Sequence, residues 1–328
     1  MRLVRPLGIA IQGGSNMMAT VLTTFRTLYW KAFCIEDWNI GVAPLPAGGI
    51  EELLTCDRLG KVNWRKGTPR HGFLADPFFW AHPDSPRVLV EEFDYLSARG
   101  HISSLSLEGL LQSEDTKEEI APPCHASYPC VLHSDGSWYC IPECAESSAV
   151  DLYVWNAATG RWQFDSRLLN DVSVYDPTLV AHDGLWYLFG TLKNDGPNSK
   201  LRIWFSEGLR GPWQSHRVNP ARLAPDQARS AGPVFRVNDH LYRPSQDARG
   251  GYGSGIILNR IDLLTPSSYE ETPVREWGPE KDSLYRDGLH TICFTATSVI
   301  VDGKRVRVTP FAAMWKLWWH LKRAQRRA

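Results

Sequence analysis

Two Asp-Pro dipeptides, Asp76-Pro77 and Asp176-Pro177, each open a short apolar run, and Tyr128-Pro129 and Gly232-Pro233 open equivalent ones. Fourteen residues beyond these prolines stand Glu91, Glu143, Thr191 and Asp247. If equivalent places converge in the fold, Asp76, Glu91, Glu143, Asp176 and Asp247 ring a single funnel. Like charges crowded in a partly dry site raise one another's pKa values and separate into an acid and a base. One protonated carboxyl assisting a leaving oxygen, with a second carboxylate as base or nucleophile, is what glycosidic-bond chemistry requires. Arg229, Arg243 and His125 are the available counter-charges, and Gln246 stands beside Asp247. Trp80, Tyr95, Tyr128 and Tyr252 offer ring faces for stacking on pyranose sugars. An Asp before Pro also caps turns; that accounts for either aspartate alone better than for the whole set. Other chemistries fare worse. No G-x-S-x-G elbow occurs, and Gly251-Tyr-Gly-Ser-Gly255 lacks the Lys of a phosphate loop.

The elements that must position these residues form a repeat. The four X-Pro starts lie about 50 residues apart. Each is followed by a second apolar run, after turn signals such as Ser134-Asp-Gly136 and His182-Asp-Gly184, and then by a third. Trp162, Trp213 and Tyr269 open a fourth in three of the units. Units of four short strands predict an all-β fold, a five-bladed β-propeller with short helical N- and C-terminal extensions. The fifth, degenerate unit starts at His290-Thr-Ile-Cys-Phe294, which places His290 at the pre-strand position, and is expected to turn at Val301-Asp-Gly-Lys304. Asp37-Trp-Asn-Ile-Gly-Val42 is expected to close the last blade. Each residue before a repeat proline is expected to be extended. The expected organisation is an N-terminal extension with a helix (1–36), the propeller (37–310) and a basic amphipathic helix (311–328).

The chain has 328 residues, 43% of them apolar, which is ample for a core and excludes general disorder. Its 36 basic and 36 acidic residues cancel, which argues against nucleic acid as a partner. The balance is uneven, however. Eight basic and no acidic residues follow from Lys304 onward, leaving 28 basic against 36 acidic before it. No run of about 20 apolar residues occurs, and the N-terminus fits a secretory signal poorly. Seven cysteines, an odd number, argue against a disulfide framework. Cys124, Cys130, Cys140 and Cys144 cluster with His125 and His133, but only Cys140 and Cys144 approach zinc-ligand spacing. They read as buried free thiols in a cytoplasmic protein, with no metal or cofactor indicated; a structural calcium in the channel is compatible but not demanded.

In residues 311–327, Phe311, Met314, Trp315, Trp318 and Leu321 recur at helical spacing. Lys316, Lys322, Arg323, Arg326 and Arg327 occupy the remainder. Such a helix either lies on an anionic membrane surface, at the inner membrane face, or docks on the propeller with its cationic end favourable to its own dipole. Residues 16–33 predict a second helix as its packing partner.

Phe73-Leu-Ala-Asp-Pro-Phe78 resembles the opening signature of five-bladed propellers of glycoside hydrolase family 43. A wider set resembles the N-terminal propeller domain of the glucosamine inositolphosphorylceramide transferase family over about residues 37–304. It comprises Trp38-Asn-Ile-Gly41, Ala75-Asp-Pro-Phe78, His125-Ala-Ser-Tyr-Pro129, Ile141-Pro-Glu143, Tyr175-Asp-Pro-Thr178, Gly211-Pro-Trp213, Tyr242-Arg-Pro-Ser-Gln-Asp247, Tyr252-Gly253 and Leu289-His-Thr291. The resemblance implies a glycan-related role. It implies Asp76 as base or nucleophile; Glu143 is assigned as acid and Asp176 as orienting carboxylate, the last two exchangeable. Glu91, His125, Tyr128, Arg229, Arg243, Gln246, Asp247, Tyr252 and His290 would bind substrate. In that family the transfer chemistry is assigned to a separate glycosyltransferase domain. The alternative to a glycosidase- or transferase-type enzyme is therefore a glycan- or glycolipid-binding scaffold that partners such a transferase; other small-molecule chemistry is a third reading.

Overall fold

The structure, a computed structural model, describes residues 29–327 apart from 31 and 83. Most of the helix expected over 16–33 lies outside the described residues. Two compact units are present: 37–305, and 1–36 with 306–328.

The first strand is β1 (Cys34–Pro44), followed by the short helix α1 (Gly49–Leu53) and β2 (Asn63–Trp64). Four blades follow in order: β3 (Gly72–Trp80) to β6 (Lys117–Ile120) with β4 (Arg87–Asp94) and β5 (Arg99–Ser106); then β7 (Ser127–Ser134), β8 (Ser137–Glu143), β9 (Ala149–Asn156) and β10 (Arg161–Asn170). The third holds β11 (Val174–His182), β12 (Leu185–Leu192), β13 (Lys200–Ser206) and β14 (Gln214–Ser215), with β15 (Arg222–Leu223) added on β13. The fourth holds β16 (Phe235–Val237), β17 (His240–Asp247), β18 (Gly255–Leu264) and β19 (Tyr269–Trp277). The fifth combines both ends of the repeat, in the order β2-β1-β21-β20, from β20 (Ile292–Phe294) and β21 (Ser298–Val308). The expected closing strand is therefore present, and the fold is a five-bladed β-propeller.

Alternation dictates the packing. Side chains on opposite faces of each sheet meet the two neighbouring blades, so the core is a ring of inter-blade layers. Trp80, Leu89 and Ile102 meet Cys140 and Trp162 between blades one and two; Ile141 and Leu152 meet Leu179 and Leu188 between two and three. Phe189 and Ile203 meet Leu241 and Ile261 between three and four. Ile256 and Leu258 meet Ile292 and Val301 between four and five, and Ile40 and Ile300 meet Leu74 and Val88 where the ring closes. All seven cysteines are free, and five of them, Cys34, Cys130, Cys140, Cys144 and Cys293, are buried.

Two local expectations need correction. Residues before the repeat prolines are not extended: φ is +52° at Asp76, +44° at Tyr128, +48° at Asp176 and +138° at Gly232. The strand register shifts there, between Ala75 and Phe78, Ser127 and Cys130, and Tyr175 and Thr178. The inserted residue absorbs the irregularity in the left-handed region, and the closure of the ring outweighs the local preference. Asp302-Gly303 is not a turn either. β21 runs through it, and the chain reverses instead at Thr295–Ser298. Gly303 is there for space, since a Cβ would stand 2.2 Å from the Trp64 ring. By contrast Asp135-Gly136 and Asp183-Gly184 do turn, with positive φ at both residues, as a type I′ hairpin requires.

Candidate active site

The left-handed residues at the inner strands of blades one to four form a polar ring joined from blade to blade. The Asp76 N–H donates to Asp302 Oδ2 (3.1 Å), the Tyr128 N–H to Asp76 Oδ2 (3.2 Å), and the Asp176 N–H to Glu143 Oε2 (3.0 Å). The Gly232 N–H donates to the Tyr128 hydroxyl at 2.8 Å. Each backbone donor thus satisfies a group that would otherwise be orphaned in a dry centre. The register pairs Ala75 with Glu91 and Ser127 with Glu143, which is why the fourteen-residue spacing delivers both glutamates to the same end as Asp76 and Asp176. Asp76, Glu91, Glu143 and Asp176 are all buried.

Two subclusters result. In the first, Asp302 Oδ1 accepts the N–H groups of His290 and Thr291, each at 3.0 Å, and Asp302 Oδ2 lies 2.6 Å from His290 Nδ1. The Thr291 hydroxyl donates to Asp76 Oδ1 at 2.7 Å, and His290 Nδ1 stands 3.8 Å from that oxygen. Burial is the main cause that lifts Asp76 from 3.8 to about 6; His290 opposes it, and Asp302 and Asp176 add to it. Burial pulls His290 down, but Asp302 and Asp76 more than offset it and leave the imidazole above its ordinary value. Asp76, His290 and Asp302 offer ligand atoms within 4.8 Å of one another. Those atoms already serve the His–Asp ion pair and the backbone donors, so the donor set matches an internal network better than a metal site.

In the second, Arg229 holds Asp176 with two bonds, Nε to Oδ2 at 2.5 Å and a terminal nitrogen to Oδ1 at 3.2 Å, and reaches Glu143 Oε2 at 3.6 Å. Gln246 donates to the same Asp176 Oδ2 at 3.0 Å and to the Ser230 carbonyl. Glu143 is held well above the usual carboxylate range, by burial first and by Asp176 next, against the pull of Arg229. Glu91 is raised in the same way, by burial and then by Asp76 and Glu143. His125 Nδ1 accepts the Gly100 N–H at 2.9 Å, which directs Nε2 toward Glu91 Oε1 at 3.6 Å. The outcome is a carboxylate that Arg229 orients with two hydrogen bonds, beside acids that burial pushes above the usual carboxylate range.

An aromatic rim surrounds these groups. The Trp38 indole stacks on His290 with centroids 4.0 Å apart. The Arg229 guanidinium lies 4.5 Å from the Tyr175 ring centroid and 5.4 Å from that of Tyr252, which is 41% exposed. Lys304 Nζ bonds the Tyr252 carbonyl and sits 5.3 Å from the Trp38 ring. A cavity of about 560 Å³ opens at Trp64, Lys281, Ser283 and Leu289; Asp76, Glu91, Glu143 and Asp176 do not line it.

The centre therefore unites Asp76, Glu91, Glu143, Asp176, His125, Arg229, Gln246, Tyr252 and His290. Three of the expected binding residues behave differently, and the expected ring faces of Trp80 and Tyr95 are buried as well. Tyr128 is fully buried, packed on Phe78, with its hydroxyl bonded to Thr178 and the Gly232 carbonyl, so it forms a floor rather than a stacking face. Arg243 is not a counter-charge of the funnel: its guanidinium is fully buried against Glu271, at 2.7 and 2.8 Å, inside blade four. Asp247 pairs with Arg249 at the strand end. Asp302, Thr291, Trp38, Tyr175 and Lys304 escaped residue-level reasoning. Asp302 sits eleven rather than fourteen residues beyond Thr291, which stands where the repeat proline would, inside a dipeptide that reads as a turn.

The description "Glucosamine inositolphosphorylceramide transferase 1, N-terminal" matches residues 35–287. Glucosamine inositolphosphorylceramide transferase 1 of rice (japonica) is 32% identical over 303 residues, covering 81% of this chain and 39% of the relative; the Arabidopsis thaliana protein is 29% identical over 208 residues, covering 62% and 27%. The chain thus spans about two-fifths of the rice relative's length. Among solved structures, a family 117 glycoside hydrolase from Zobellia galactanivorans superposes with a TM-score of 0.52 at 10% identity, over 83% of this chain and 91% of that one. An exo-β-1,3-galactanase from Clostridium thermocellum gives 0.50 at 13%, over 68% and 54%. These structural likenesses concern the fold. A match across three-quarters of the chain, together with one-third identity to the rice protein, places this chain in the glucosamine inositolphosphorylceramide transferase 1 N-terminal family.

Proposed function

We propose that the propeller is a glycan-active enzyme, of glycosidase or glycosyltransferase type, that acts on a carbohydrate or glycolipid. One observation carries the reading: raised acids, Asp76 and Glu143, stand beside a carboxylate held by two bonds to Arg229, under an aromatic rim. Asp76 serves as base or nucleophile, and protonated Glu143 gives its proton to the leaving oxygen. Asp176, fixed by Arg229 and Gln246, orients the pair. Glu91, beside His125, is the reserve acid. General acid–base catalysis of this kind contributes roughly 10²–10⁴-fold. The test is turnover of a panel of glycosides and nucleotide sugars by wild type and Asp76→Asn. Loss of turnover with retained ligand binding supports the assignment; undiminished turnover removes it.

A second reading is a glycan- or glycolipid-binding scaffold that partners a separate glycosyltransferase. It is favoured by the family description, which names the N-terminal part of a transferase. Under it, Tyr252→Ala abolishes binding and no carboxylate substitution changes any turnover.

A further inference from the structure

We infer that the helical unit of the chain is a docking surface for an anionic lipid bilayer. Helix α2 (Ala312–Arg327) has its polarity arranged against the usual rule for a surface helix, whose apolar stripe faces inward. Here Met314, Leu317, Trp318 and Leu321, at i, i+3, i+4 and i+7, are 58, 61, 45 and 54% exposed. Ala312 is buried, and Trp315 and Trp319 on the other side are half-buried. The row of large apolar side chains is thus the one left in water, continued at its start by Phe311 at 57%. This differs from the stripe expected from spacing alone: Leu317 joins it and Trp315 leaves it. The same unit exposes Tyr29, Trp30 and Phe33, and Lys316 Nζ bonds the Trp30 carbonyl at 3.0 Å, which ties the two aromatic groups together.

Charge selects the occupant. Arg307, Lys316, Lys322, Arg323, Arg326 and Arg327 are the ionic residues of 306–328, with no acid among them. Lys322 Nζ stands 4.7 Å from the Trp318 ring centroid, an ammonium carried beside an apolar ring. Tryptophan and lysine side by side on an exposed apolar face match the depth profile of a bilayer interface, with rings at headgroup level and ammonium groups among anionic headgroups. No described helix is long and apolar enough to cross a membrane, so the contact is one of lying on the surface. The inference is independent of the propeller's chemistry.

The experiment is co-sedimentation of the full chain with phosphatidylcholine vesicles, and with vesicles in which one-third is phosphatidylglycerol. We expect binding to the anionic vesicles about tenfold or more above neutral ones, weakened by salt. Leu317→Ser with Trp318→Ser should cut it at least tenfold, and Lys322→Glu with Arg323→Glu should remove the preference for anionic lipid. All four positions lie in α2, outside residues 37–305, and an unchanged melting temperature shows that the propeller still folds. Absence of vesicle binding overturns the inference, as does equal binding to both compositions. Concentration-dependent self-association lost in the Leu317/Trp318 variant overturns it too, by naming a second copy as the occupant.

Discussion

Asp302 accepts the backbone N–H of Asp76 across 226 positions of sequence, at 3.1 Å, while its other oxygen accepts from His290 and Thr291. One carboxylate thereby ties the last blade to the first at the point where the candidate base is presented. Blade closure and site assembly are the same event, so site substitutions register in stability as well as in turnover.

Asp76→Asn is expected to remove turnover by a factor of about 10² or more and to stabilise the ligand-free protein at pH 7.5. The sign follows from linkage. Asp76 has its folded pKa raised from 3.8 to about 6, so the proton it holds favours the folded state below about 4, and that contribution fades as pH rises through 6. A shift of this size is worth roughly 3 kcal/mol. Glu91, Glu143 and His290 are raised as well and act in the same direction. Thermal unfolding of wild type should therefore show stability declining between pH 4 and 7, and the variant should show a shallower decline.

Arg229→Met leaves Asp176 and Glu143 in a buried site without their cation. Urea unfolding at pH 7.5 should reveal a loss of about 3–5 kcal/mol, shrinking as pH falls and the raised Glu143 takes up its proton. A loss independent of pH would show that packing, not charge, is what Arg229 supplies.

Arg243→Met separates structure from site. Its ion pair with Glu271 has no exposure on either side chain, but Arg222 also reaches Glu271 at 2.6 Å and keeps that carboxylate paired, so stability should fall by about 1.5–3 kcal/mol while ligand affinity is retained in the folded fraction.

Gly232→Ala probes ring closure. Its φ of +138° and a Cβ position 2.0 Å from the Ile292 carbonyl oxygen leave no room for a side chain. Destabilisation of at least about 2 kcal/mol is expected, measured by urea titration; a neutral result would mean that blades four and five shift apart easily.

Tyr252→Ala should weaken glycan binding by about tenfold, roughly 1–2 kcal/mol, with melting temperature nearly unchanged, since the ring is 41% exposed. Calorimetric titration with whichever ligand the panel identifies decides this.

The repeat was legible because blade geometry is written locally. Hairpin dipeptides such as Asp183-Gly184, strand-length apolar runs and a constant spacing from Pro77 to Glu91 and from Pro129 to Glu143 all follow from period-two alternation and tight turns. They located Asp76, Glu91, Glu143 and Asp176, and the resemblance rested on the same residues. What the sequence could not decide was partnership. Arg243 and Arg229 look alike as basic residues near the fourth repeat start, yet one points into blade four and the other into the centre. Asp302-Gly303 looks like the turns that do form, but the strand continues because β1 pairs alongside it and Trp64 fills the space above the glycine. The left-handed backbone at Asp76 and Asp176 opposes the preference of a residue before proline. Local signals of this kind amount to about a kilocalorie each, whereas closing five blades on one another buries every inter-blade layer at once; the ring therefore set which carboxylates, and which arginine, share the centre.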